Sequence, residues 1–219
     1  MDHAALLARS ELFSALDPAS LATVLESARP CSFRRNELIF AEGDDATDMY
    51  VVRSGRVAIA SRSVDGRTSV LALMEAGDLF GEMSMFDGEG RSAEARALEP
   101  SELLAIPFPA VRTALEERPG LLWEVTALLA RRLRLTDAAL ADSVFLDVPG
   151  RTAKRLLEIA GDADEFTLPV TQEELAGMVG ASRERVNKAI SAFVRLGWLE
   201  QIDRRYRILN RPQLELRAR

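Results

Sequence analysis

The chain has 219 residues, 47% hydrophobic and 28% charged, with a formal net charge of −6; these are ordinary proportions for one large or two modest globular domains. A single cysteine, Cys31, and a single histidine, His3, exclude an intramolecular disulfide, a cysteine-ligated iron–sulfur cluster, a cysteine-rich zinc site and a histidine-based hydrolase, so neither a metal nor a haem is expected. No apolar run is long enough to span a bilayer and Met1-Asp2-His3-Ala4 opens no signal-peptide pattern, so the expectation is a cytoplasmic protein without a membrane partner.

Charge is divided unevenly. Residues 1–146 hold 15 basic and 23 acidic residues, a net −8, whereas residues 147–219 hold 13 and 11, a net +2. From 166 onward there are 10 basic and 6 acidic residues, a net +4. An acidic half joined to a basic end predicts two separate jobs.

From 6 to 28 apolar residues recur with helical spacing, broken at Leu16-Asp17-Pro18. Asp17 and Pro18 read as the cap and first position of a helix. Cys31, beside Pro30, reads as a small buried residue rather than a reactive thiol. Between 31 and about 107 the texture changes. Gly43, Gly55, Gly66, Gly77 and Gly88 recur every eleven or twelve residues, with β-favouring runs between them at Met49-Tyr50-Val51-Val52, Val57-Ala58-Ile59 and Val70-Leu71-Ala72-Leu73. Asp65-Gly66 is a tight-hairpin signal. Many short strands with regular turns predict a sandwich or jelly roll.

Inside this region, Phe80-Gly81-Glu82-Met83-Ser84-Met85-Phe86, closed by Arg91-Ser92, packs a carboxylate, two hydroxyls, glycines and one arginine into thirteen residues. A small anion carrying a sugar needs that mix. Arg91 offers a planar fork of donors to phosphate oxygens, and Ser92 adds a hydroxyl. Free N–H groups at a short helix start favour negative charge. Glu82 would repel a phosphate but can accept from a ribose hydroxyl.

The longest helical pattern runs from 121 to about 145. Leu121, Leu128 and Leu135 are seven apart, as are Leu122, Leu129 and Thr136. Such heptads predict a coiled-coil partner; the competing reading is a stripe that covers the β domain. The number of apolar residues, Val125, Leu128, Leu129 and Leu135, favours the partner. Thr136-Asp137 turns the row polar, which costs a seam stability. Asp147-Val148-Pro149-Gly150 punctuates the chain; Asp147 can cap the next helix and Pro149 suits its first turn, with the helix predicted over 151–160. A polar loop follows at 161–165.

Thr171-Gln172-Glu173-Glu174 is a capping box opening a short helix, which Gly180 ends. Ser182 caps a second helix predicted over 183–196, stopped by Gly197. Two helices across a three-residue turn containing glycine form a helix-turn-helix signature. The outer face of the second helix carries Arg183, Glu184, Arg185, Asn187, Lys188 and Ser191. Arginine pairs with guanine edges and glutamate accepts from cytosine, which predicts base reading in double-stranded DNA. The competing reading is a solvated helix with a Glu184–Lys188 pair. Trp198-Leu199-Glu200 and Tyr206-Arg207-Ile208-Leu209 look like a β-wing whose Arg204, Arg205 and Arg207 are placed to touch phosphate.

In this order the pieces resemble the CRP–FNR transcription regulators, in their cyclic-AMP receptor (catabolite activator) branch. The resemblance covers about 12 to 209. It is carried by Phe80-Gly81-Glu82 with Arg91-Ser92, by Ala130-Arg131-Arg132-Leu133, by Phe145-Leu146-Asp147-Val148-Pro149-Gly150-Arg151, and by Thr171-Gln172-Glu173-Glu174-Leu175-Ala176 with Val179-Gly180-Ala181-Ser182-Arg183-Glu184. The last of these, leading to Val186-Asn187-Lys188, is most similar to actinobacterial members.

The resemblance implies an α+β fold: an N-terminal β jelly-roll cyclic-nucleotide-binding domain over 1–118, a long dimerisation helix over 119–146, and a C-terminal winged helix-turn-helix domain over 147–219. It implies cyclic AMP as allosteric effector. Gly81 would let the backbone approach the nucleotide, Glu82 would hold the ribose 2′-hydroxyl, and Arg91 and Ser92 would bind the cyclic phosphate, with Met83 and Ser84 completing the segment. Thr136 would contact adenine, and Asp137 would reach it from the other subunit of a homodimer. Thr171, Ser182, Arg183, Glu184, Arg185 and Lys188 would meet DNA, on a palindrome with TGTGA-like half-sites. RNA polymerase is the further partner implied. At Asp137 the cyclic-AMP members carry a neutral Ser or Asn. An ionised carboxylate only accepts hydrogen bonds, so it would favour adenine's amino group over guanine's O6 or weaken binding generally.

Three alternatives compete. A regulator of the same fold that ignores nucleotides, or uses an effector such as cyclic di-GMP, leaves Glu82, Arg91 and Ser92 together without a purpose. A nucleotide-regulated enzyme has no room, because fewer than twenty residues remain at each end. A purely structural dimer leaves Arg91 and the basic second helix unexplained.

Overall fold

A computed structural model describes residues 3–10, 12–62 and 68–219; the Asp65-Gly66 hairpin signal lies outside the described residues. Packing divides the chain into two compact units that share the long helix, with Leu71–Leu133 in the first and Arg134–Arg219 in the second. The N-terminal apolar stretch forms separate pieces: α1 (His3–Leu7), a 3-10 turn at Phe13–Ala15 and α2 (Pro18–Ser27). The Asp17 carboxylate caps α2, accepting from Ala19 N at 2.8 Å and Ser20 N at 3.1 Å.

Eight strands follow: β1 (Arg29–Phe33), β2 (Leu38–Phe40), β3 (Asp48–Ser54), β4 (Val57–Arg62), β5 (Thr68–Met74), β6 (Leu79–Phe80), β7 (Glu94–Ala97) and β8 (Ser101–Pro107). They make two four-stranded sheets, ordered β1-β8-β3-β6 and β2-β7-β4-β5, with antiparallel pairing such as Val51 opposite Leu104 and Ile59 opposite Ala95. Gly43, Gly55, Gly77 and Gly88 all have positive φ, as turn positions require. Gly55 is the tightest: a Cβ there would lie 2.4 Å from Ser101 Oγ and 2.6 Å from the Pro100 carbonyl.

Side chains alternate across a strand, so the first sheet feeds two cores. Val52, Phe80 and Leu103 point between the sheets, where they meet Val57 and Ala95. Met49, Val51, Leu104 and Ile106 point the other way, onto α1, α2, α4 (Phe108–Glu117) and the start of α5 (Leu122–Phe145). Between β6 and β7 lies the five-residue α3 (Met83–Asp87).

Helix α5 resolves the heptad question in two parts. Leu121, Val125 and Leu128 are buried in the chain's own core, and Leu129 packs against it. That half of the stripe covers the β domain, contrary to the expectation that Val125, Leu128 and Leu129 seek a partner. Leu133, Leu135, Leu140, Val144 and Phe145 are exposed, Phe145 to 83%.

In the second unit, α6 spans Val148–Ala160, three residues earlier than its predicted start. Pro149 and Gly150 are tolerated because first-turn N–H groups have no intrahelical partner. Asp147 caps it by accepting from Gly150 N at 2.9 Å and also pairs with Arg217 on α9 (Arg211–Arg217). Helices α7 (Gln172–Val179) and α8 (Arg183–Arg195) flank the turn at Gly180, and β9 (Glu165–Thr167), β10 (Leu199–Ile202) and β11 (Arg205–Ile208) form a sheet ordered β10-β11-β9. Leu156, Leu175, Val186, Phe193, Tyr206 and Leu214 close the core.

Two outcomes are expected. Leu104 is fully buried, so Leu104→Ala should cost about 3 kcal/mol in urea unfolding. Asp147→Ala should cost about 1 kcal/mol at neutral pH through the lost cap. The Gly150 N–H, and then Arg217, hold the Asp147 carboxyl below its ordinary value of 3.8. The cap therefore stabilises the fold above that value and is lost as pH falls through the folded one. Unfolding measured at successive pH values should show the wild-type and Asp147→Ala stabilities converging below about pH 4.

Candidate functional site

Strand β6 is followed by Gly81, whose φ of +78° only glycine adopts readily. A Cβ there would lie 2.7 Å from Arg91 Nη1. The close approach that excludes a side chain is thus made by Arg91 itself. Glu82 precedes α3, and Gly88 stops the helix in a left-handed conformation. The segment between Gly88 and β7 returns Arg91 to the same place: its Nη1 donates to the Gly81 carbonyl at 2.6 Å and its Nη2 to the Asp48 carbonyl at 2.7 Å.

Arg91 is 5% exposed and Glu82 is 0% exposed. Ionised side chains so deeply buried are costly unless partnered. Glu82 Oε1 accepts from Arg132 Nη1, whose other terminal nitrogen donates to the Leu79 carbonyl at 2.5 Å. One atom of each side chain remains unmet: Glu82 Oε2 and Arg91 Nε are both buried without a hydrogen-bond partner. One is an acceptor and the other a donor. Burial pulls the Arg91 guanidinium below its ordinary value, opposed by Tyr50, Asp48, Asp44 and Glu82. Burial also pushes the Tyr50 hydroxyl up. At neutral pH the arginine keeps its charge.

The other cassette residues lie around this pair. Ser84 is nearly buried and its hydroxyl donates to the Gly90 carbonyl at 3.3 Å. Ser92 is exposed beside Met83, its Oγ 3.6 Å from the Met83 sulfur. Thr136 and Asp137 are exposed on the part of α5 that belongs to the second unit. Thr136 lies four residues, about one turn, beyond Arg132 on the same helix. Arg132 lies in the Ala130-Arg131-Arg132-Leu133 motif, which by itself assigns it no role. The signal available was that a carboxylate in an anion pocket needs its own cation, but that cation stands 50 residues away.

In the second unit, the Thr171 hydroxyl accepts from Glu174 N at 3.2 Å and Glu174 returns a bond to Thr171 N, which makes the expected capping box. Ser182 accepts from Arg185 N at 3.4 Å and starts α8. Val186, Ala189, Ile190 and Phe193 are buried, which turns Arg183, Glu184, Arg185 and Lys188 outward, all exposed. Among the described residues the Glu184–Lys188 pair does not form. Arg204 donates to the Leu168 and Val170 carbonyls at 3.0 and 3.3 Å, and Arg207 pairs with Glu165. All three wing arginines remain exposed; Arg204 and Arg207 have these partners within the domain, and Arg205 has no such bond among the described residues.

Among the described residues no helix is long and apolar enough to cross a membrane, and no cluster of three or more metal-ligating side chains occurs. Residues 30–118 match the cyclic nucleotide-binding domain family, and residues 150–217 match the Crp-like helix-turn-helix domain family. A CRP-like cAMP-activated global transcriptional regulator of Mycobacterium tuberculosis is 38% identical across 98% of this chain and 99% of its own length. The catabolite activator protein of Thermus thermophilus is 32% identical over 95% of this chain and 98% of its own, with a TM-score of 0.55. The c-di-GMP-responsive regulator CLP of Xanthomonas campestris covers 88% of this chain and 99% of its own at a TM-score of 0.77, but at 24% identity it shows the shared fold alone. With a nucleotide-binding β domain, a Crp-like helix-turn-helix and a near full-length match, this chain belongs to the CRP family and is a DNA-binding transcription regulator rather than an enzyme.

Proposed function

We propose that the chain is a cyclic-AMP-responsive regulator that acts as a homodimer on a palindromic operator with TGTGA-like half-sites. The observation that carries this reading is the pair of unmet buried atoms, Arg91 Nε and Glu82 Oε2. A cyclic nucleotide offers one anionic phosphodiester and one free ribose 2′-hydroxyl. The first suits a guanidinium N–H and the second suits a carboxylate oxygen. Ser92 adds a hydroxyl for the phosphate, and the Met83 and Ser84 N–H groups open the short helix beside it. Thr136 takes adenine, and Asp137 of a second subunit favours its amino group over guanine's O6. The cAMP-activated relative, similar along its whole length, supports the choice of nucleotide.

In this reading 1–118 senses the nucleotide, 119–146 dimerises and 147–219 binds DNA. The exposed Leu133, Leu135, Leu140, Val144 and Phe145 supply the apolar seam. Arg183, Glu184, Arg185 and Lys188 read base edges, while the Thr171 and Ser182 helix starts sit at the backbone. The protein works in the cytoplasm, and RNA polymerase is its further partner. Arg132 joins the sensor to α5 through Glu82. A ligand shifts the dimer only by its differential affinity for two arrangements of the recognition helices, which must sit about one DNA turn apart.

Titrating a palindromic operator with the full-length protein at fixed salt tests the coupling. Cyclic AMP should raise the affinity at least about tenfold, a coupling of about 1.4 kcal/mol. Equal affinity with and without the nucleotide would remove the switch and leave the DNA reading intact. Arg132→Ala should leave Glu82 buried without its cation and destabilise the sensor by about 3 kcal/mol. Glu82→Gln in the same chain should restore most of that loss in chemical unfolding. A single variant as stable as wild type would contradict the role assigned to the pair.

A further inference from the structure

We propose that Phe40 is the positioning residue of the nucleotide pocket: its ring holds the Arg91 guanidinium flat and dry, leaving the Nε–H for a cyclic phosphate. This inference rests on the pocket reading above and extends it to a residue outside the cassette.

The Arg91 guanidinium carbon lies 4.2 Å from the Phe40 ring centroid, well inside the 5.7 Å to Tyr50 and 5.9 Å to Phe108. Phe40 is itself held in place. Its centroid is 5.9 Å from Tyr50 and 6.0 Å from Phe80, and those two rings stack at 5.4 Å. The Cβ that Gly81 lacks would touch Phe40 at 3.4 Å as well as Arg91 at 2.7 Å. Ring and guanidinium therefore close together over the bare Gly81 backbone.

The choice of partner explains the arrangement. A carboxylate beside Arg91 would neutralise it and repel an incoming anion. The carboxylates whose charge acts on Arg91 are each bonded elsewhere: Asp48 to Arg29, Asp44 to the Ala41 N–H and Glu82 to Arg132. Arg91 is compensated by two carbonyl dipoles in its plane and by an aromatic face above it. None of these partners carries a full negative charge, so the positive charge remains available. An aromatic face also uses none of the five N–H donors. With Nη1 and Nη2 each bonded to a carbonyl, the buried Nε has no partner. A lysine at 91 would offer no plane to stack and no fork to brace.

Calorimetry with cyclic AMP on the full-length protein tests the assignment. Phe40→Leu should weaken binding about tenfold, the scale of a desolvated cation–π contact. Phe40→Tyr, which keeps the ring, should stay within about twofold. In an Arg91→Lys background, Phe40→Leu should cause no further loss. Wild-type affinity in Phe40→Leu would overturn the proposal, as would equal losses in the leucine and tyrosine variants or an undiminished loss in the lysine background. A second measurement needs no ligand. In nitrogen–proton spectra of the nucleotide-free protein, the Arg91 Nε–H signal should be ring-shifted and slow to exchange. It should move to the solvent-exposed position in Phe40→Leu and stay in Phe40→Tyr. An unmoved signal in Phe40→Leu overturns the positioning role. A wild type that binds no cyclic AMP while its Nε–H behaves as expected instead overturns the pocket reading.

Discussion

The Arg91 guanidinium sits 5% exposed among carbonyl oxygens and aromatic rings, with no carboxylate bonded to it. Taking such a charge out of water costs several kcal/mol after relaxation. The first unit is built around offsetting that cost without cancelling the charge. Strand β3 supplies the Asp48 carbonyl, the β6 exit supplies the Gly81 carbonyl, β2 supplies the Phe40 ring, and the first residue of α4 supplies the more distant Phe108 ring. Each element must hold its register for the charge to be tolerated. In the proposed reading the jelly roll is more than a support for the cassette, because it would maintain an anion receptor whose energy is recovered when an anion arrives.

Glu82 has the opposite problem and a different solution. It is buried at the start of α3 and is neutralised by Arg132, a residue of α5. The carboxylate that would otherwise compete for Arg91 is occupied by the helix that continues toward Thr136 and the exposed Leu135, Leu140, Val144 and Phe145. The second unit shows the same economy. Asp147 both caps α6 and pairs with Arg217, Arg204 is bonded to the Leu168 and Val170 carbonyls, and Arg207 pairs with Glu165. Net positive charge in this region thus overstates the charge available to DNA. The first turns of α8 hold Arg183, Arg185 and Lys188, all exposed.

Features whose cause is local were legible in the sequence. The Asp17 and Ser182 caps, the Thr171–Glu174 capping box and the turns at Gly43, Gly55, Gly77 and Gly88 are set by nearby residues, and each forms as expected. Features whose cause is distant were not. Phe40 looks like any apolar strand residue until folding brings Arg91 over its ring. Arg132 looks like one of several helix arginines until its partner 50 residues away is known. The α5 heptads show the limit most plainly. A period identifies an apolar face, but Leu121, Val125 and Leu128 meet the chain's own core while Leu135, Val144 and Phe145 do not. Asp147 as cap and Pro149 in the first turn are legible locally and both hold, but the break they mark between the halves hides that α6 already begins at Val148, three residues before the predicted start.

The central claim is that the uncancelled charge on Arg91 receives the cyclic phosphate, and its most direct measurement is calorimetric titration of wild type and Arg91→Ala with cyclic AMP. The account predicts saturable binding by the wild type and a loss of at least about 30-fold in the variant, as expected when one member of a buried charge-assisted contact is removed. Equal affinity in the two proteins, with both folded, would contradict it.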